Sequence, residues 1–196
     1  FDRASMFGNP FIGLFASTND DITLVGMGAS DKFIRHIANL QTEIIRIPGY
    51  DLAGIYSVMN NKGMIVSSLI EEGELRRTRF GSCINVEIMK TRFNAVGNNI
   101  AANDNGAIVN PDMNYSEVAR IRDVLDVEVV KTTVAGYKTV GAMVLATNRG
   151  FITHPKSSSD EIELMSSLFR VNGGTGTANT GVPFIRISVL AKKKAL

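Results

Sequence analysis

The sequence predicts a mixed α/β protein whose five similar units close into a ring. One glycine-containing window recurs along the chain, each clear copy precedes an apolar strand and an amphipathic stretch, and no linker separates the copies. The equivalent positions are Gly13, Gly54, Gly97, Gly141 and Arg186, so the steps between copies are 41, 43, 44 and 45 residues. Such regular spacing indicates a repeat architecture, in which a unit buries its apolar face only against its neighbours.

Each window is expected to form a β-hairpin. The clear windows are residues 53–63, 96–106 and 140–150, and weaker ones are residues 12–22 and 185–195. Each clear window ends in a glycine that has asparagine or aspartate two residues before it, and we expect positive φ angles at these tight turns. The residue after each repeat glycine is expected to begin the hairpin strand; these residues are Leu14, Ile55, Asn98 and Ala142.

A helix and a further strand are expected after each hairpin. Apolar residues recur at helical spacing in residues 30–40, 116–125 and 159–169, whereas Gly73 weakens the pattern in residues 71–77. Ser158 and Glu161 have the spacing of a capping box. The closing strands are predicted at residues 43–47, 85–89 and 127–130. The unit boundaries are then approximately 6–48, 49–91, 92–135, 136–180 and 181–196, within a single domain.

Composition excludes several classes of protein. Apolar residues make up 44% of the 196 and charged residues 20%, as in ordinary globular proteins. A net charge of +2 argues against a binder driven mainly by polyanion attraction, such as a DNA-binding protein. One cysteine, no membrane-spanning apolar run and no signal-peptide core at the start lead us to expect a cytoplasmic protein.

Several motifs, in order and at matching spacing, resemble the translation initiation factor 6 family, most closely its archaeal branch. They are Val96-Gly97-Asn98, Asn103-Asp104-x-Gly106, Thr147-Asn148-x-Gly150, His154-Pro155 and Gly176-Thr177-Ala178-Asn179-x-Gly181. The resemblance runs from Phe7 to about residue 191. It implies a pentein-type ring with five-fold pseudo-symmetry. It also implies a non-enzymatic, monomeric factor that binds the large ribosomal subunit beside the sarcin–ricin loop and prevents small-subunit joining, with a role in large-subunit maturation.

The fifth copy departs from the family pattern. Lys193 and Ala195 stand where asparagine and glycine are expected, and the sequence stops at Leu196. We therefore expect an incomplete fifth unit that leaves apolar surface uncovered.

Two groups of residues are candidate ribosome contacts. The first group is Asn98 with the adjacent Gly97. Asn98 is the one polar residue among those that follow the repeat glycines in the clear copies, so its side chain could form a hydrogen bond with a partner. The alternative is that this side chain bonds its own backbone. Gly97 and its equivalents are expected to permit close backbone packing near the axis. The second group contains Arg76, Arg77 and Arg79, together with residues 192–194. These residues are candidate contacts to ribosomal RNA phosphates; the alternative is that they form an ordinary solvated surface.

The main alternative is a pentein-type enzyme that modifies guanidino groups. It would need a nucleophilic cysteine beside a histidine base. The sequence has one cysteine and two histidines, and they fall in three different copies. We expect Cys83 to be buried or neutral, His36 to face solvent and His154 to have a structural role. No metal-ligand spacing occurs, and the glycine-rich residues 172–177 lack the lysine of a phosphate loop. No cofactor or metal is therefore expected. A generic scaffold of repeats is the remaining alternative.

Overall fold

The computed structural model describes residues 3–38, 41–47, 51–79 and 83–191. The fold is mixed α/β, with repeated small sheets and no closed barrel in this part of the chain. Copy 1 contains a 3-10 turn (Ile12–Leu14), β1 (Ala16–Thr18), β2 (Ile22–Gly26), α1 (Asp31–Ile37) and β3 (Gln41–Ile45). Copy 2 contains α2 (Ala53–Tyr56), β4 (Ser57–Met59), β5 (Gly63–Ser67), α3 (Glu72–Arg76) and β6 (Asn85–Met89).

The next two copies repeat this order. Copy 3 contains α4 (Val96–Asn99), β7 (Ile100–Ala102), β8 (Gly106–Val109), α5 (Tyr115–Leu125) and β9 (Glu128–Lys131). Copy 4 contains α6 (Val140–Met143), β10 (Leu145–Thr147), β11 (Gly150–Thr153), α7 (Ser159–Phe169) and β12 (Gly173–Thr175). Copy 5 begins with α8 (Ile185–Ser188), and Lys193 and Ala195 lie outside the described residues. No helix of the described ranges is long and apolar enough to span a membrane.

Each of the four sheets has three strands in sequence order. The first two strands pair antiparallel as a hairpin, and the third pairs parallel to the second after the helix crosses over. The predicted hairpins of copies 1 to 4 are therefore confirmed, as is the strand Asn85–Met89. The end of the fifth predicted hairpin, residues 192–195, lies outside the described residues.

The longer helices match their predictions closely. α7 has the predicted bounds, and Ser158 and Glu161 form the predicted capping box. α5 has a second capping box, made by Asn114 and Glu117, which begins the helix one residue before the predicted start. α1 ends at Ile37, because Ala38 leaves the helical conformation; Leu40, in its predicted last turn, lies outside the described residues.

The prediction that each hairpin strand begins immediately after the repeat glycine is wrong. These residues lie in short helical turns: the 3-10 turn Ile12–Leu14, α2, α4, α6 and α8, called the glycine turns below. Asn98, for example, lies inside α4, and strand β7 begins at Ile100. A helical turn is favoured because it brings the backbone of one glycine turn against that of the next, as the following contacts show.

The glycine turns pack directly against one another. A Cβ added to Gly54 would lie 1.9 Å from the carbonyl oxygen of Gly13, one on Gly97 would lie 2.2 Å from that of Gly54, and one on Gly141 would lie 2.3 Å from that of Gly97. A Cβ on Gly13 would lie 2.0 Å from the carbonyl oxygen of Arg186, so the series of contacts returns from the last turn to the first. The expected packing role of these glycines is confirmed.

The glycines that close the hairpins have a different role from the predicted one. Gly63 and Gly106 do not adopt positive φ. Instead, a Cβ on Gly63 would lie 2.0 Å from the carbonyl oxygen of Val124, and one on Gly106 would lie 2.5 Å from that of Leu168, in the helix of the following copy. The turn itself is held by an asparagine, since Asn103 Oδ1 accepts hydrogen bonds from the backbone N–H groups of Asn105 and Gly106.

The apolar core is divided among neighbouring copies. One cluster joins Val58 and Ile65 of copy 2 to Val96, Ile121 and Leu125 of copy 3. A second joins Ala101 and Ile108 of copy 3 to residues of copy 4, and a third joins copies 1 and 2. A single copy therefore cannot bury its own apolar face, as the repeat pattern predicts.

Replacing Gly54 by alanine is expected to lower the free energy of unfolding by about 3 kcal/mol, because the new methyl group would overlap backbone oxygens that cannot move independently. Gly73→Ala is the matched control. No atom lies within 4 Å of a Cβ built there, so this change in α3 is expected to be neutral or to stabilise by up to about 1 kcal/mol. Urea unfolding of both variants measures the difference, and equal effects would contradict the packing role.

Candidate functional site

The tips of the four hairpins meet in a polar cluster. Its members are Asp20, Asn61, Asp104 and Asn148. Asn61 Nδ2 donates to Asp20 Oδ2 and to Asp104 Oδ2, each at 2.7 Å. Asn148 Nδ2 donates to Asp104 Oδ2 at 2.7 Å. The backbone N–H groups of Asn61 and Asp104 donate to Asp104 Oδ1 and Asn148 Oδ1. These polar groups hold neighbouring copies together, so the tips are primarily a structural joint.

A second polar layer reinforces the same joint. Asn60 Nδ2 donates to the carbonyl oxygens of Asn103 and Leu125, and Asn103 Nδ2 donates to those of Thr147 and Phe169. Leu125 and Phe169 are the last residues of α5 and α7, whose final carbonyl groups have no partner within the helix. Each of these hairpins thereby caps the helix of the following copy.

Asn98 differs from the asparagine that follows it. Asn99 is buried, and its side chain bonds to the carbonyl oxygen of Ala95 and to Asn110. Asn98 is half-buried, and its side-chain amide makes no hydrogen bond within the described part of the chain. The alternative in which Asn98 bonds its own backbone is therefore not what the structure shows. Its amide is free to bond a partner.

Apolar residues occupy the positions equivalent to Asn98 in the other copies. Leu14 and Ile55 are half-buried, and Ala142 is buried. The partly exposed residues Leu14, Ile55 and Asn98 lie on glycine turns that pack in series, and they are called the turn surface below. Gly97 is buried and packs against the backbone of copy 2, so it positions α4 and with it Asn98.

The predicted arginine cluster lies on copy 2 and is largely paired with acidic residues. Arg77 Nη1 lies 2.8 Å from Glu74 Oε1, and the Arg79 backbone N–H donates to Glu43. Arg76 pairs with Glu72, and this hydrogen bond, together with the carboxylate charge, raises the pKa of Arg76. Such exposed pairs add little stability, but they reduce the positive field that an RNA phosphate would meet. Residues 192–194 lie outside the described residues.

A more strongly cationic surface, which sequence reasoning missed, lies on copies 3 and 4. Lys138 Nζ is 2.8 Å from Asp112 Oδ2, and the hydrogen bond from Lys138 holds the pKa of Asp112 below its usual value, with the charges of Arg92 and Lys131 acting in the same direction. Lys131 also lies over the exposed ring of Tyr115. Three cations thus face one carboxylate. Their separation along the chain gives no sequence signal; strand pairing brings them together.

The structure does not assemble the residues that the enzyme alternative requires. Cys83 is exposed, which excludes the buried thiol, one of its two expected states, and its Sγ lies 3.8 Å from Gln41 Oε1. His36 is exposed, as predicted, on α1. Cys83, His36 and His154 lie in three different copies of the repeat. Among the described residues, no group of three His, Cys, Asp or Glu side chains is arranged to hold a metal ion.

His154 is a buried, neutral structural residue. Its ring packs against Tyr137 and Phe184, and its Nδ1 accepts the backbone N–H of Lys156 at 3.1 Å. Burial lowers the pKa of His154 below 6.5, and the nearby charge of Lys156 acts in the same direction. The prediction of a structural role is consistent with this packing.

Comparison with known proteins identifies the family. The model of the eIF-6 family matches residues 1–196. The chain belongs to the eIF-6 family. Relatives named translation initiation factor 6 include those of Thermoplasma acidophilum, which is 32% identical over 99% of this chain and 90% of its own length, and of Methanocaldococcus jannaschii, which is 35% identical over 98% and 88%. That of Picrophilus torridus is 34% identical over 99% and 90%.

Membership of the eIF-6 family covers every copy, so the glycine turns, the hairpin tips and both cationic surfaces all fall within the matched region. The relatives are named as initiation factors, not as enzymes.

The burial of His154 predicts a pH-dependent stability. The unfolded state takes up a proton near pH 6.5, whereas the folded state, with its lower pKa, takes it up only at lower pH. Acid therefore favours unfolding, and the free energy of unfolding should fall as the pH drops from about 7.5 to about 5.5. His154→Asn should flatten this slope, because its amide oxygen can still accept the Lys156 N–H without taking up a proton.

His36→Asn is the control and should keep the wild-type slope, since His36 is exposed. Urea unfolding at several pH values measures all three proteins. A full slope in the His154 variant would assign the pH dependence to other groups.

Proposed function

We propose that this protein is a non-enzymatic ribosome anti-association factor, which binds the joining face of the large ribosomal subunit and sterically prevents the small subunit from docking. The observation that carries the proposal is the match to the eIF-6 family over residues 1–196, together with relatives named translation initiation factor 6. A cytoplasmic, monomeric protein without metal or cofactor fits this role. A part in large-subunit maturation belongs to the same proposal.

The finer architecture is part of the proposal. We infer a pentein-type ring with five-fold pseudo-symmetry, built from units with approximate bounds 6–48, 49–91, 92–135, 136–180 and 181–196. The steps of 41 to 45 residues support it. The contact of Gly13 with the backbone of Arg186 also supports it, because the last glycine turn then meets the first.

The turn surface is our proposed contact to ribosomal proteins near the sarcin–ricin loop. Its centre is rigid, since each glycine turn is fixed by the backbone of its neighbour. Half-buried Leu14 and Ile55 supply apolar area, and Asn98 supplies an amide that no described residue engages. Apolar area with one directional polar group is typical of the central part of a protein–protein interface.

Ribosomal RNA phosphates are the proposed partners of the cationic surfaces. Arg76, Arg77 and Arg79 remain candidates, although two of them are paired with glutamates of α3. On copies 3 and 4, Lys131 and Lys138 supply a positive field, which in their cluster is opposed by the carboxylate of Asp112 alone. Such contacts position a protein on RNA without reading its sequence.

Sedimentation of purified archaeal ribosomal subunits tests the proposal. The protein should travel with the large subunit alone and reduce the peak of joined ribosomes, because one surface cannot accommodate both partners. Binding to neither subunit, with joining unchanged, would reject the proposal. A peak reduced without large-subunit binding would place the action on the small subunit instead.

Asn98→Ala tests the contact within that function. Since the Asn98 side chain bonds no described residue, the melting temperature should be unchanged. Affinity for the large subunit should fall about tenfold, as expected when a polar group of the partner loses its hydrogen bond. Asn94→Ala is the matched control, because Asn94 is an exposed asparagine of the same segment. Equal affinity of wild type and both variants would remove Asn98 from the contact.

A further inference from the structure

Arg186 occupies the position that a glycine occupies in the other four copies. Its backbone carbonyl lies against Gly13, and its side chain extends from α8 toward copies 1 and 2. There it lines a central cavity of about 40 Å³, together with Ser17, Val58, Ala101, Val144 and Val189. The guanidinium is surrounded by protein, although the residue as a whole is only half-buried.

The positive charge of Arg186 has only weak compensation from the protein. Nη1 lies 3.4 Å from the carbonyl oxygen of Gly13, and Nη2 lies 3.5 Å from Ser17 Oγ and 3.5 Å from the carbonyl oxygen of Ser57. These are long contacts, and three acceptors cannot satisfy the five N–H bonds of a guanidinium.

No carboxylate of the described residues supplies the missing charge. Arg186 forms no ion pair with any carboxylate in the described ranges. Outside those ranges the sequence contains a single acidic side chain, that of Asp2. Asp20 and Asp104 lie at the hairpin tips, where they line the adjoining cavity and accept hydrogen bonds from Asn61. A buried charge without a partner is costly, so a counter-charge at this point stabilises the fold.

Burial lowers the pKa of Arg186 to about 10, which still leaves the group protonated at neutral pH. The group therefore cannot relieve its burial by releasing a proton. Its surroundings must accommodate a cation.

We propose that the central cavity binds one small monovalent anion, of the size of chloride, at the Arg186 guanidinium. A volume of about 40 Å³ suits one or two particles of the size of water and excludes nucleotides and other large anions. Ser17 Oγ is placed to donate a hydrogen bond to the same anion. Because Arg186 contacts copies 1 and 2 from copy 5, the anion stabilises the contact between the last glycine turn and the first.

Thermal unfolding of the 196-residue chain at constant ionic strength tests this site. Sodium chloride is compared with sodium gluconate, whose anion is too large for the cavity. Chloride should raise the melting temperature of the wild type by about 3 °C at concentrations well above the dissociation constant. Arg186→Gln, which keeps much of the side-chain volume, should lose this rise, whereas Arg186→Lys should keep part of it.

Arg122→Gln is the control for the loss of an arginine. Arg122 is exposed and pairs with Asp123, so its variant should keep the full chloride response. If Arg186→Gln does not fold, crystals of the wild type grown in sodium bromide decide the question by an anomalous peak beside the guanidinium. Equal melting temperatures of the wild type in the two salts, an unchanged response in Arg186→Gln, or no bromide peak would each overturn the proposal.

Discussion

The close approach of backbones at the glycine turns is the constraint on which the rest of the fold depends. Each added Cβ at Gly13, Gly54, Gly97 and Gly141 would overlap the carbonyl oxygen of a neighbouring turn. Atoms that cannot overlap fix both the distance and the orientation of successive copies. The sheets that follow these turns are then placed so that their apolar faces meet across copy boundaries, which is why three of the core clusters each draw on two copies.

A second set of contacts makes this placement specific. Asn60 and Asn103 close their own hairpins and also cap the helix of the next copy, so one side chain satisfies local and distant backbone groups together. Buried amides of this kind are costly when unpaired, so an incorrectly placed neighbour would be strongly disfavoured. The glycine turns set the spacing of the copies, and the hydrogen bonds of Asn60 and Asn103 disfavour any other arrangement.

Much of this organisation could be predicted from the sequence, because repeats, capping boxes and long amphipathic helices carry local signals. α7 could be predicted to the residue, since eleven residues suffice to reveal a helical period. The four-residue turn α4 could not, because Val-Gly-Asn-Asn is too short to distinguish a helix from a strand. The packing requirement for a glycine at position 106 could not be predicted either, because Leu168, which a side chain there would overlap, lies in another copy.

The candidate site was only partly visible for the same reason. Asn98 could be singled out because it breaks an apolar pattern at one repeat position, and the contrast with the internally bonded Asn99 supports that choice. The cluster of Arg92, Lys131 and Lys138 around Asp112 could not, because only strand pairing brings these residues together. A scaffold fixed by backbone contacts keeps such groups in place before a partner arrives. Binding then orders few side chains, which suits the steric action proposed for this protein.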